Sequence, residues 1–171
     1  MNRKVALMLL GASLLACNFL FPQTERLGPS ATDFQDPVGA GFTIVRLHPQ
    51  DGELKSRLAD EVQKATALGQ IPVVEFDATW CPPCQAIDDA IREGNDLILK
   101  AYADAYVIRL DVDEWGWGGS ELHDFQFDAI PVYFKLDPEG RRTGKVIDGG
   151  AWGEDIPENI APVMSEFFHG E

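Results

Sequence analysis

The chain is 171 residues long and 45% hydrophobic, enough apolar material for one sizeable core. Its 28 acidic against 14 basic residues give a formal charge of -14, the wrong sign for a chain that grips phosphate backbones by releasing their counterions. Nucleic acid is therefore excluded as an expected partner, and the acidic surface otherwise bears on solubility rather than fold.

The first segment reads MNRKVALMLLGASLLACNFL, in which Arg3 and Lys4 precede an apolar run from Val5 to Ala16 that is short for a bilayer span. An export signal over residues 1–16 is expected. Its end, Leu14-Leu15-Ala16-Cys17, resembles the lipobox of bacterial lipoproteins, although Leu15 is bulkier than is usual at its place. That resemblance implies cleavage before Cys17, a lipid anchor on Cys17 and a place in the cell envelope. A plain secretory signal or an uncleaved anchor is the alternative. Asn18 after the cysteine resembles the pattern that sends lipoproteins to the outer membrane, facing the periplasm, in bacteria with two membranes. Residues 17–40, interrupted by Pro22, Gly28, Pro29, Pro37 and Gly39, read as a flexible tether.

From 41 to 171 the periods alternate, without internal repeats, as in a single domain. GFTIVRL (41–47) is a β-rich run. The next segment places Leu54, Leu58, Val62, Ala65 and Leu68 on one helical face, closed by Gly69. IPVVEFDA (71–78) is apolar and β-branched, broken near its centre by Glu75, as expected of a buried central strand. A helix follows to about Arg92, another covers 96–103, and AYVIRLDVD (105–113) returns to strand. A Gly/Trp loop leads to a short helix near 120–125. Two strands, VYFKLD and GKVIDG, are joined by the turn DPEG. The last helix, about 156–168, contains Pro162, which predicts a kink or a later start.

Cys81 and Cys84 flank Pro82 and Pro83 directly after the central strand. Three uses of such a pair compete. A structural zinc site needs four ligands, and His48, His123 and His169 are scattered singly. Haem attachment needs a histidine after the second cysteine, where Gln85 stands. A structural disulfide here closes a tiny loop, and loop-closure stabilisation grows with loop size. Redox chemistry fits best. A cysteine at a helix start lies beside unpaired N–H groups and the positive end of the dipole, which favour its thiolate. The spacing returns the second cysteine one turn later, and the prolines suit the first helical positions while removing two N–H donors.

The order of elements, with FDATWCPPC and the downstream DAIPVYF (128–134), resembles a thioredoxin domain over most of 41–169. The resemblance implies an α/β thioredoxin fold, a mixed central sheet sandwiched by helices, and a thiol-disulfide oxidoreductase acting on protein clients. Cys81 is implied as attacker and Cys84 as resolver, with Glu75 as a buried acid that moves the proton. Ile130 and a cis Pro131 are implied to hold the client backbone, and Trp80 to shield the cysteines. Glu75 paired with a strand neighbour such as Arg109 is the structural alternative, compatible with the proton role. No small-molecule or metal cofactor is implied, since the redox equivalents reside in the sulfurs.

Asp77 stands where thioredoxins commonly carry an aromatic residue, and DEWGWGGSE (113–121) lengthens the loop before the cis-proline. Trp115 or Trp117 is expected to fill the vacated space or line a client groove, or to lie on the surface of a flexible loop. Asp88 and Asp89 are expected on a solvated helix face. The expected direction is reduction of exported clients, recharged by a membrane electron donor; a dithiol oxidase and a non-catalytic tethered binding module are the alternatives.

Overall fold

A computed structural model describes residues 41–170; the expected export signal, Cys17 and the tether of residues 17–40 lie outside the described residues. The strands are β1 (Thr43–Arg46), β2 (Ile71–Asp77), β3 (Ala105–Asp111), β4 (Val132–Leu136) and β5 (Arg142–Asp148). The helices are α1 (Leu54–Leu68), α2 (Pro82–Arg92), α3 (Asp96–Tyr102), α4 (Val112–Trp115) and α5 (Pro157–His169). One sheet holds the strands in the order β1-β3-β2-β4-β5. The first three run parallel, and β4 and β5 are antiparallel additions. Because β2 has strands on both sides and helices on both faces, its apolar run has no polar face to show, as sheets covered on both faces require.

Side chains alternate across the sheet and build two cores. On one face, Leu54, Leu58 and Val62 of α1 pack on Val74, Phe76, Ile108 and Phe134. On the other, Ile87 and Ile91 of α2, Ile98 of α3 and Met164 of α5 cover Val73, Val107 and Tyr133. Each fully buried Leu or Ile contributes about 1.5–3 kcal/mol of transfer free energy.

Local signals set the element ends. Glu53 accepts the amide of Ser56 at the start of α1. Gly69, with φ 69°, ends α1 in the left-handed conformation that glycine adopts without a Cβ penalty. Asn95 caps α3 by accepting the amides of Leu97 and Ile98.

The structure departs from the sequence pattern in four places. Leu68 is exposed rather than part of the buried face of α1, because it lies in the last turn, from which the chain leaves through Gly69. Glu61 is buried in that face instead, its carboxylate accepting the Tyr106 hydroxyl at 2.6 Å. The helix expected near 120–125 is a single 3-10 turn, Ser120–Leu122. Pro162 neither delays nor ends α5. Pro162 and Glu158, whose carbonyl loses its helical donor there, both face solvent, where water supplies the missing bond.

Candidate active site

β2 ends at Asp77, and three residues later Cys81 caps α2. Pro82 and Pro83 occupy the first two helical positions, where their fixed φ is already helical. Cys81 and Cys84 are joined in a disulfide with their Cα atoms 5.3 Å apart. The amide of Cys84 donates to Cys81 Sγ at 3.3 Å; the two prolines between them have no N–H to offer. Cys81 is 1% and Cys84 4% exposed.

Trp80 stands beside the pair, 55% exposed, and its indole N–H donates to Asp113 at 2.7 Å. Its exposure sets it apart from the packing aromatics of the core. Asp113 belongs to α4, and three contacts fix that short helix. Trp115 donates its indole N–H to the Leu47 carbonyl at 3.0 Å, Asp111 accepts the Asp113 amide at 2.8 Å, and Glu114 meets His48 Nδ1 at 2.6 Å. Trp115 is thus a core residue on the α1 side, not a filler for the space at Asp77, which lies on the opposite face with Glu75. Arg46 meets Asp77 there with two contacts of 2.9 and 2.5 Å. Trp117 is exposed, its ring 5.5 Å from that of Phe127.

The Ile130–Pro131 peptide bond is cis. The amide of Gly149, at the end of β5, donates to the Pro131 carbonyl at 3.0 Å. A Cβ on Gly149 would lie 3.2 Å from Pro131 Cδ, 3.5 Å from the Trp152 ring and 3.8 Å from Pro83 Cγ. This glycine therefore joins the proline loop to the CPPC turn by letting both approach its backbone. Its only sequence signal is the Gly149-Gly150 pair that follows a strand.

On the α2 side of the sheet lies a buried charged layer. In register, Glu75 faces Arg109 on β3 and Tyr133 on β4. Arg109 Nε donates to Glu75 Oε2 at 2.7 Å and the Tyr133 hydroxyl donates to Oε1 at 2.7 Å. With its hydroxyl hydrogen donated to Glu75 in that bond, Tyr133 is left to accept from the Tyr102 hydroxyl, 3.1 Å away. Arg109 Nη1 lies 2.7 Å from Asp88 Oδ1 of α2. Asp88, expected on a solvated face, instead turns toward this layer, one helical turn beyond Cys84. Burial pushes the Glu75 carboxyl above its ordinary range; Arg109 pulls it down, and Asp77 and Asp88 add to the upward push. Burial opposes the charge of Arg109, but Glu75 and Asp88 hold the guanidinium protonated. Burial and Glu75 also push the Tyr133 hydroxyl upward.

The structure thus brings together Cys81, Cys84, Trp80 and the Ile130–Pro131 loop at one end of the sheet, with Glu75 in the layer beneath α2. The sequence pattern missed Asp88, Tyr133, Tyr102 and Gly149. Among the described residues no group of three or more His, Cys, Asp or Glu side chains is placed to hold a metal ion.

The thioredoxin family model matches residues 54–161. Thioredoxin H4 of Arabidopsis thaliana is 31% identical over 102 residues, spanning 58% of this chain and 76% of that protein. Thioredoxin H3 of the same plant is 29% identical over 124 residues, 72% of this chain and 92% of the relative. A solved thioredoxin from Trichomonas vaginalis aligns with a TM-score of 0.47 at 24% identity, covering 72% of this chain and 96% of that one. With a family match over most of the chain and a redox-active Cys81–Cys84 pair, the protein belongs to the thioredoxin family of thiol-disulfide oxidoreductases.

Proposed function

We propose that the protein is an exported, lipid-anchored reductase of protein disulfides in the cell envelope, held at the membrane through Cys17. Cys81, as thiolate, attacks one sulfur of a client disulfide. A Cys81–client bond forms, the client S–S bond breaks, and the other client sulfur leaves as a thiolate. Cys84 then gives its proton to the Glu75 carboxylate and attacks Cys81 Sγ. The Cys81–Cys84 disulfide forms and the second client thiolate departs. Two electrons have passed to the client, and a membrane electron donor returns two to the enzyme. The backbone of Ile130, beside Pro131, pairs with the client chain as an added strand, and Trp80 borders the docked segment.

The observation that carries the direction is the scarcity, among the described residues, of support for a thiolate. One amide, that of Cys84, reaches Cys81 Sγ, and the layer beneath α2 sets Glu75 and Asp88 against the single guanidinium of Arg109. A poorly stabilised thiolate makes the dithiol form less favourable, which lowers the reduction potential and suits a donor of electrons. About 30 mV corresponds to 1.4 kcal/mol for this two-electron couple, so one missing hydrogen bond is enough to matter.

Reduction of insulin with dithiothreitol as electron source tests this reading. Wild type accelerates the reduction and Cys81→Ser does not. Equal inactivity of the two with every thiol donor tried overturns the reductase and leaves a binding module.

A further inference from the structure

We infer that Asp88 is a positioning residue of the exchange reaction: its carboxylate offsets the Arg109 guanidinium, and so frees Glu75 to trade a proton with Cys84. This rests on the proton role proposed for Glu75.

Glu75 is 1% exposed and accepts hydrogen bonds from Arg109 and Tyr133, each at 2.7 Å. A carboxylate that has one guanidinium to itself in a dry interior forms a neutral pair and stays ionised well below neutral pH, which makes it a feeble base. Arginine does not give up its proton and cannot relay one. The groups that face Glu75 are few. Asp77 on β2 is taken by Arg46 of β1. β3 supplies Arg109, β4 Tyr133 and α3 Tyr102, whose hydroxyls are fully buried donors. α5 brings apolar Met164 and Phe168.

α2 supplies Asp88, which competes with Glu75 for Arg109. Its Oδ1 lies 2.7 Å from Nη1, while Nε serves Glu75. Two carboxylates on one guanidinium leave the layer with surplus negative charge, which uptake of one proton relieves. The upward push on Glu75 from burial, and in part from Asp88, agrees with that balance. Asp88 is 29% exposed, so it keeps contact with solvent while Arg109, 2% exposed, does not.

The test is rapid-mixing measurement of mixed-disulfide resolution, the step in which Cys84 displaces a peptide thiolate from Cys81. It is run between about pH 5 and 9, spanning the range in which a raised carboxyl titrates. Wild type, Asp88→Asn, Asp88→Glu and Glu75→Gln are compared in the full chain. Wild type shows an acid limb along which the rate rises as Glu75 ionises. Asp88→Asn moves that limb to lower pH by about one unit or more. It also lowers the plateau several-fold, because Glu75 has become the weaker base. Asp88→Glu restores both, and Glu75→Gln abolishes the limb. If Glu75→Gln abolishes the limb while Asp88→Asn leaves it in place, with or without a loss of stability, the role of Asp88 is overturned and that of Glu75 stands. If Glu75→Gln leaves the limb untouched, the proton role of Glu75 fails, and this inference with it.

Discussion

Replacing Arg109 by methionine exposes the energetics of the buried layer. The side chain is 2% exposed, and the two carboxylates it serves are each 2.7 Å from it. Methionine fills much of the same volume but leaves Glu75 and Asp88 facing an apolar group. Removing one partner from a buried ion pair typically costs about 3–5 kcal/mol, a large fraction of the roughly 5–15 kcal/mol that holds a domain folded. Melting temperature is expected to fall by roughly 10–20 °C for a domain of this size.

The loss depends on pH with a definite sign. The folded-state pKa of Glu75 is already raised, and losing Arg109 removes the pull that opposed the rise. A raised carboxyl contributes most below its unfolded value, near 4.3, and that contribution is lost as pH rises through the folded value. The deficit relative to wild type therefore grows from pH 5 to pH 8, by about 1.4 kcal/mol per unit wherever only the folded variant holds the proton. Adding Glu75→Gln recovers part of the loss, since the neutral amide still accepts the Tyr133 hydroxyl. Urea denaturation followed by circular dichroism at both pH values measures this. A loss under about 1 kcal/mol, or one equal at both pH values, refutes the reasoning.

Gly149→Val drives two methyl groups toward Pro131 and Pro83, which a bare Cβ would already meet at 3.2 and 3.8 Å. Insulin reduction is expected to fall about tenfold while reaction with dithiothreitol changes little, and overpacking costs about 1–3 kcal/mol of stability. Equal loss with both substrates contradicts the docking role. The segments 110–134 and 147–164 contain no lysine or arginine but carry exposed Asp113, Asp124, Asp128, Glu154 and Asp155. Exchange with a lysine-flanked disulfide peptide is therefore expected to slow as salt is raised, and exchange with a glutamate-flanked one to quicken; identical salt profiles contradict this. Cys17→Ser should abolish incorporation of radiolabelled lipid in a bacterial host, and failure of the unaltered chain to incorporate it removes the anchor from the account.

The parts of the fold that were legible in the sequence are those set by local chemistry. The apolar, β-branched run at 71–78, the Gly69 stop and the prolines after Cys81 each act within a few residues of themselves, and each element formed where expected. Glu75 was conspicuous because it lies between Val74 and Phe76, inside the apolar run of a central strand. Its partnership with Arg109 was within reach, since the two are opposite charges set inside neighbouring buried runs. Asp88 was not, because its inward turn depends on how α2 lies over β3, a contact between distant segments that no local period encodes. The same holds for Asp77, whose partner Arg46 arrives through the parallel order of β1, β3 and β2. Trp115, expected to fill the space at Asp77, to line a client groove or to lie on a surface loop, packs instead on the α1 side, because its indole donates to the distant Leu47 carbonyl.

The reduction potential of the Cys81–Cys84 couple, measured by equilibration against glutathione or dithiothreitol buffers, tests the proposed direction of electron flow most directly. With one backbone donor on Cys81 Sγ among the described residues and an acid surplus in the layer beneath α2, the account predicts a reducing value, below roughly -230 mV and toward the -270 mV or so typical of reductases. A value between about -180 and -120 mV, the range of protein disulfide oxidants, would contradict it and make the protein a dithiol oxidase.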